Sequence, residues 1–311
     1  MTRKTPLDLH AVRADPDLSA DDDVDEDAGV DPYDDDFGPQ PDQPPRRRLR
    51  PVAALDEPAY STWPNASPGP RPRPAWVITA AAAVDADLGV LKTGKEADVH
   101  LVRRAVPDTD GVLMAAKRYR PADRRLFHRD AGYLEGRRVR RSRETRAMAR
   151  RTEFGREILA GQWASAEFAA LSRLWQAGAP VPYPVQLLGT EVMLEFIGTD
   201  DGTAAPRLMQ VRPTAAEAED LFDQVRAAMM LMCREGWAHG DLSPYNLLVD
   251  RGRLVVIDLP QIVDIVTNPR GQEFLRRDCV NVCGWFATKG CRSADVDELF
   301  GDLIAEAVSR W

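Results

Sequence analysis

The residue types best suited to chemistry crowd into one short segment, His239-Gly240-Asp241-Leu242-Ser243-Pro244-Tyr245-Asn246. Asp258 follows it, closing the apolar run Leu254-Val255-Val256-Ile257. Phosphoryl transfer needs a carboxylate to orient a hydroxyl nucleophile, and hard oxygen ligands to hold Mg²⁺ on the phosphates. Asp241, Asn246 and Asp258, in that order, supply both: Asp241 as the base, Asn246 and Asp258 as metal ligands. His239 reads as a residue that orients the loop rather than as an acid or base. Upstream, Lys117 ends the β-like run Val112-Leu113-Met114-Ala115-Ala116, and Glu167 lies on the next helical stretch. An ion pair between a strand lysine and a helix glutamate holds the amine against nucleotide phosphates.

These side chains need elements to position them, and the periodicity supplies candidates. Leu88 to Leu91, Ala97 to Arg103 and Val112 to Tyr119 read as three strands, with Asp108-Thr109-Asp110-Gly111 as the turn before the third. From Trp163 the pattern is helical, with Phe168, Leu171, Leu174 and Trp175 on one face and Gly178 and Pro180 as the stop. Val181 to Leu188 and Val192 to Ile197 read as two more strands. Thr214 with Glu217 forms a capping-box pair that opens a helix carrying Leu221, Phe222, Val225, Met229, Met232 and Cys233 on its apolar side; Gly236 closes it. Two β-like bursts, Leu247 to Val249 and Leu254 to Ile257, flank Asp250-Arg251-Gly252, and helices follow over Gln272 to Thr288 and Val296 to Trp311. The chain thus has a strand-rich half with one helix and then a helix-rich half, with the seam near Gly198 to Ala205. Gly89 and Gly94-Lys95 fit the start of a phosphate-binding G-x-x-x-x-G-K-[ST] loop, but Glu96 lacks the hydroxyl for Mg²⁺ and a strand follows instead of a helix.

Composition sets the outer limits. The chain has 311 residues, 44% hydrophobic and 29% charged, which excludes a wholly disordered or fibrous protein. No run approaches the ~18 apolar residues of a membrane span, no apolar core of a signal peptide stands at the N-terminus, and four cysteines make no disulfide framework. The cytoplasm is the expected compartment. The net charge of −8 is unevenly placed: residues 1–45 hold 14 acidic and 3 basic side chains, and fourteen of the 24 prolines precede residue 76. Such a segment buries too little apolar surface to offset its ordering entropy, so residues 1–75 are expected to form a disordered acidic, proline-rich tail ahead of a folded domain over 76–311. Between Lys117 and Arg156 stand 15 basic and 5 acidic residues. That stretch reads either as a solvated charged face or as a surface for the phosphates of a nucleotide or of RNA. Cys279, Cys283 and Cys291 lack a fourth ligand at a familiar spacing for zinc and are expected to be buried thiols.

Several segments resemble one known family in order. Leu91-Lys92-Thr93-Gly94-Lys95-Glu96-Ala97-Asp98-Val99 resembles the S-T-G-K-E-A-N-V loop of RIO-type atypical protein kinases of the type-one subfamily. Trp163-x-x-x-Glu167-Phe168 with Gly178-x-Pro180-Val181-Pro182 is similar to that family's helix-C region, and Glu195-Phe196-Ile197-Gly198 to its hinge. His239 to Asn246 resembles its catalytic loop, and Ile257-Asp258-x-x-Gln261 stands where ordinary kinases have D-F-G. Phe274-Leu275-Arg276-Arg277-Asp278-Cys279-x-Asn281-Val282 resembles its C-terminal signature. Pro244, Asp98 and Pro260 depart from the pattern. The resemblance implies an α+β, bilobal protein-kinase-like fold: a small β-rich N-lobe with one main helix (about 76–198) and a helical C-lobe (about 199–311), lacking an activation loop and a peptide-docking subdomain. It implies ATP and Mg²⁺, with serine/threonine phosphorylation of a protein substrate or of the chain itself. Lys117, Glu167 and Lys95 would serve the nucleotide, with the backbone of Glu195 and Ile197 at adenine. Asp241 would be the base and Asn246 and Asp258 the metal ligands, Asp258 also being a candidate aspartyl-phosphate. Ser142, Thr145 and Thr152 would be autophosphorylation candidates.

Three functions stand open on the sequence. One is the RIO-type serine/threonine kinase. A second is a small-molecule phosphotransferase of the aminoglycoside or choline type, which shares His-Gly-Asp-x-x-x-x-Asn and the later Ile-Asp. A third is an ATP-switched factor that docks on RNA or ribosomes through the arginine-rich stretch 120–160. None involves a membrane.

Overall fold

The computed structural model describes residues 59–121 and 153–309. The described chain starts with two short strands, β1 (Ala59–Tyr60) and β2 (Ser67–Pro68), and continues through β3 (Val84–Thr93), β4 (Ala97–Ala105) and β5 (Val112–Tyr119). Helix α1 (Glu153–Gln176) leads to β6 (Pro184–Leu188) and β7 (Glu191–Glu195). The second half holds α2 (Ala215–Arg234), β8 (Trp237–Ala238), the hairpin β9 (Leu247–Asp250) and β10 (Arg253–Val256), β11 (Val263–Asp264), α3 (Gly271–Thr288) and α4 (Val296–Val308).

The strands of the first half make one antiparallel sheet in the order β1-β3-β4-β5-β7-β6-β2. Because side chains alternate across a sheet, register sorts its residues onto two faces. Val102 faces Met114 and Ala116 faces Met193 on one of them, where Tyr183 and Val185 join the cluster and Trp63, Trp76 and Val77 cover it. The other face carries Ala97, Tyr119 and Val192, packed on Ala160 and Ala164 of α1. It also carries Lys117, which pairs directly with Val99 and Val192.

The boundary expected at residue 75 falls earlier. Residues 59–75 strap the sheet at both edges, β1 on β3 and β2 on β6. Tyr183 Oη donates to the Pro70 carbonyl at 2.8 Å, and Trp76 meets Tyr183 edge-on at 6.0 Å. Proline is the commonest residue of the segment, but Trp63 within it and Trp76 directly after it supply the apolar area that decides its fate, since aromatic side chains bury large surfaces. Helix α1 also begins earlier than Trp163. Its first turns carry Gly155, Arg156 and Gly161 and no clear stripe, so tertiary packing of Ala160 rather than local pattern extends the helix.

In the second half the apolar stripe of α2 is buried as the spacing predicts, and Thr214 and Glu217 cap it reciprocally. The stripe packs on Leu275, Cys279, Val282, Cys283 and Phe286 of α3 and on Leu299 and Leu303 of α4, with the Phe222 and Phe286 rings 5.3 Å apart. All four cysteines are buried as free thiols. Leu259–Arg270, with only the two-residue β11 in it, carries the chain from Asp258 to α3, leaving no room for a long activation loop. No helix among the described residues is long and apolar enough to cross a membrane.

Candidate active site

Lys117 lies near the end of β5, on the sheet face turned toward α1 and toward the segment after β10. Its Nζ donates to Glu167 Oε1 at 2.7 Å and to Asp258 Oδ1 at 2.6 Å. Burial opposes the charge on this amine, but the carboxylates of Asp258 and Glu167 outweigh it and hold Lys117 well above the ordinary lysine range. Glu167 is itself almost fully buried and fixed by two further donors, Tyr119 Oη to Oε2 at 2.5 Å and the Leu259 N–H to Oε1 at 3.2 Å. A strand lysine, a helix glutamate and the post-β10 aspartate are therefore one ionic unit that ties the sheet, α1 and the second half together.

Burial pushes the Asp258 carboxyl upward, and the charge and hydrogen bond of Lys117, with help from Lys92 and His239, more than reverse this, bringing it to about 2. Asp258 also holds a left-handed backbone, φ 69°. A non-glycine residue there is strained and persists only where its surroundings over-determine it; the Lys117 bond and the Leu259 bond to Glu167 do so.

Asp241 and Asn246 sit on the loop between β8 and β9. The Asn246 side-chain amide donates to the Asp241 carbonyl at 2.9 Å, and the Asn246 carbonyl accepts from the Ile257 N–H at 3.0 Å. The loop is thus pinned directly to the residue before Asp258. With its amide hydrogen engaged, Asn246 keeps its Oδ1 as an acceptor. That oxygen and the ionised carboxylate of Asp258 form a hard donor pair, which fits Mg²⁺ held jointly with phosphate oxygens. His239 is buried and its Nε2 lies 3.0 Å from the Ile257 carbonyl. A carbonyl only accepts, so Nε2 carries the proton and the ring holds the loop in place.

The role of Asp278 was not legible in its motif. From the middle of α3 its carboxylate accepts from the Gly240 N–H and the Leu242 N–H, both at 2.8 Å, gripping the backbone on either side of Asp241. Asn281 donates to the Leu242 carbonyl at 3.0 Å and Arg277 to the Gly240 carbonyl. Burial raises the Asp278 carboxyl to about 6, against these donors. A carboxyl raised on folding stabilises the fold fully below the usual carboxylate range, and that contribution is lost as pH rises through about 6. Asp278→Asn should remove this dependence: relative to the variant, the wild type gains on the order of 2–3 kcal/mol between pH 7 and pH 4. The same change should cost roughly 10–100-fold in turnover, the scale for losing a residue that orients a reacting group through another. Thermal melts across pH and initial rates check both.

The remaining expected residues are less concentrated. Glu195 ends β7; its N–H donates to the Tyr183 carbonyl at 2.9 Å and its side chain accepts from the Tyr183 N–H at 3.0 Å. Burial raises its carboxyl. The Ile197 carbonyl accepts from the Ala205 N–H at 2.9 Å. Lys95 stands on the exposed tip of the β3–β4 turn, and no contact among the described residues joins it to the Lys117 cluster. Two cations absent from the sequence-based set, Lys92 and Arg207, lie close enough for their charges to act on Asp258. The bulk of the arginine-rich stretch, with Ser142, Thr145 and Thr152, lies outside the described residues.

An antiparallel sheet with one helix, a helical second half, and an aspartate–asparagine–aspartate set whose last member bonds the lysine of a lysine–glutamate pair define the protein-kinase class of fold. Within that class, residues 112–299 match the family model of the RIO domain. The chain is 37% identical over 217 residues to the RIO-type serine/threonine-protein kinase Rio1 of Haloferax volcanii, covering 70% of this chain and 68% of that one. It is 30% identical over 224 residues to serine/threonine-protein kinase rio1 of Schizosaccharomyces pombe, covering 70% of this chain and 41% of that one. To serine/threonine-protein kinase RIO1 of Homo sapiens it is 32% identical over 213 residues, covering 68% of this chain and 35% of that one. The match therefore spans less than half the length of the two eukaryotic relatives. Among solved structures it is similar to the Rio2 kinase of Chaetomium thermophilum in its ADP/Mg²⁺-phosphoaspartate complex, with a TM-score of 0.50 at 20% identity, covering 70% of this chain and 62% of that one. This chain belongs to the RIO domain family.

Proposed function

We propose that this chain is an ATP- and Mg²⁺-dependent serine/threonine protein kinase of RIO type that phosphorylates a protein substrate or itself. The observation that carries the reading is Lys117 Nζ held between Glu167 and Asp258 at 2.7 and 2.6 Å, beside a loop that presents Asp241 and Asn246. Family membership favours this over the small-molecule phosphotransferase reading, because the motifs the two share are accompanied here by a RIO domain match over residues 112–299.

Lys117 would bind inner phosphate oxygens, and Glu167 keeps it charged and aimed. The Glu195 N–H and the Ile197 carbonyl are already engaged within the chain, so the backbone left for adenine is the Glu195 carbonyl and the Ile197 N–H. Asn246 Oδ1 and Asp258 would hold Mg²⁺, which would neutralise charge on the phosphates. Asp241 would accept the hydrogen bond of the attacking hydroxyl and then its proton. In the autophosphorylation branch, a carboxylate oxygen of Asp258 attacks the terminal phosphorus, the bond to the bridging oxygen breaks, and ADP leaves. Water then cleaves the acyl phosphate. Contact with RNA or ribosomes through the 120–160 stretch is proposed on its charge alone; such binding would weaken steeply with salt as counterions are released. The cytoplasm is proposed as its compartment.

Incubation of the full chain with ATP and Mg²⁺, followed by mass mapping of every new phosphate, tests the activity. Phosphate on serine or threonine, with or without an acid-labile adduct on Asp258, is the expected result. A chain and a set of general protein acceptors that all remain unmodified would overturn the reading.

A further inference from the structure

Lys92 on β3 pairs with Val99 on β4, and Val99 pairs with Lys117 on β5, which pairs with Val192 on β7. Directly paired residues point to the same side of a sheet. Lys92 therefore stands on the face of Lys117, two strands away, about 10 Å at the usual strand spacing. Its row runs from Val192 of β7, three residues before Glu195, through Lys117, to β3. Glu195 pairs with Met114, so a nucleotide with its base at Glu195 and Ile197 and its inner phosphates at Lys117 would run along β5 toward the end of the sheet where Lys92 stands.

Arg207 comes to the same place from the opposite side. Its backbone bridges to Leu248 just beyond Asn246, while the neighbouring Pro206 carbonyl accepts from the Val249 N–H at 2.9 Å and the Met209 N–H donates to the Pro244 carbonyl at 3.1 Å. Arg207 is thus anchored along the exit of the Asp241–Asn246 loop. Its charge acts on Lys92 and on Asp258, and it senses Tyr245. Among the described residues neither cation closes a salt bridge. Burial together with the Arg207 and Lys117 charges draws the Lys92 amine down to about 8, more than the carboxylate of Asp258 restores. In the loop pattern this segment resembles, the position of Lys92 is a serine.

We infer that Lys92 and Arg207 are a two-sided clamp on the terminal phosphate, which makes this cleft select a nucleoside triphosphate over the diphosphate. The inference rests on the kinase reading and deepens it. Two like charges approach from the sheet and from the helical half with the single carboxylate of Asp258 acting on both, and a terminal phosphate would add the anionic charge that balances them. When that phosphate has been transferred, their repulsion returns and favours release of the diphosphate.

Calorimetric titration of the full chain with Mg²⁺ and either a non-hydrolysable ATP analogue or ADP tests the clamp. The wild type should prefer the triphosphate. Lys92→Ser and Arg207→Met should each weaken the triphosphate about tenfold or more, the scale of a charge-assisted hydrogen bond, and leave ADP affinity unchanged. Lys92→Arg should keep the preference, which separates loss of charge from damage to the fold. Equal weakening of both nucleotides, or no change in either, overturns the clamp while the kinase reading stands. A wild type that binds neither nucleotide overturns both.

Discussion

Asp241→Ala should lower the rate of phosphate transfer by about 10²–10⁴-fold, the usual contribution of a positioned general base, with little change in the KM for ATP. The geometry makes this a clean test. Gly240 and Leu242 are anchored by Asp278, and the Asp241 carbonyl by Asn246, so the backbone at 241 is held on both sides by groups that the substitution leaves in place. Asp241 is exposed, and truncation should leave the melting temperature close to that of wild type. A loss confined to kcat marks an interaction made only in the transition state. Initial rates with saturating ATP, read beside a thermal melt, decide the matter: a variant that turns over at the wild-type rate would remove Asp241 from the chemistry.

The parts of this site that a reader of the sequence can find are those that lie close along the chain. Asp241 and Asn246 share one loop and Asp258 closes the next hairpin, so their spacing is itself the signal. Lys117 and Glu167 are legible only because a family order connects a strand lysine to a later helix. Lys92 and Arg207 carry no such mark. What brings Lys92 to the cleft is register, Lys92 to Val99 to Lys117, and register includes irregular steps between Asp87 and Gly89 and between Val90 and Lys92 that no alternation pattern announces. Asp278 reads as one more polar residue of a helix. Its role appears only when α3 is packed beneath the loop it grips. The fold shows the same division. Long periodic segments such as α2 are found from their apolar stripe, whereas β1, β2, β8 and β11, of two residues each, exist only because a neighbouring strand supplies their partners. The strap over 59–75 is hidden by its composition, since an average weighted by prolines conceals Trp63 and, directly after the segment, Trp76.

The second large effect is expected at Asp258, where three roles meet in one carboxylate: partner of Lys117, proposed metal ligand and proposed phosphoacceptor. Asp258→Asn keeps the size and hydrogen-bonding oxygen but removes the charge. Transfer should fall by roughly 10²–10³-fold, the scale of losing one preorganised electrostatic contact in a catalytic site, and the Mg²⁺ needed for half-maximal rate should rise. Lys117 is not left unpaired, because Glu167 remains at 2.7 Å, so the usual collapse after breaking a buried pair is averted. The carboxylate of Asp258 is 41% exposed, and solvent screens what it adds to stability. The pH dependence follows from the direction of its shift. A carboxyl held down at about 2 on folding adds stability above the ordinary carboxylate range and loses it as pH falls through about 2. The stability gap between wild type and variant should therefore be level from pH 5 to 8 and close only in strong acid, while the activity gap persists throughout. The phosphate map adds a second readout: the acid-labile adduct should vanish in Asp258→Asn. A variant that keeps both its rate and its Mg²⁺ requirement would strip Asp258 of the metal and the phosphate alike, and leave Lys117 with a structural partner only.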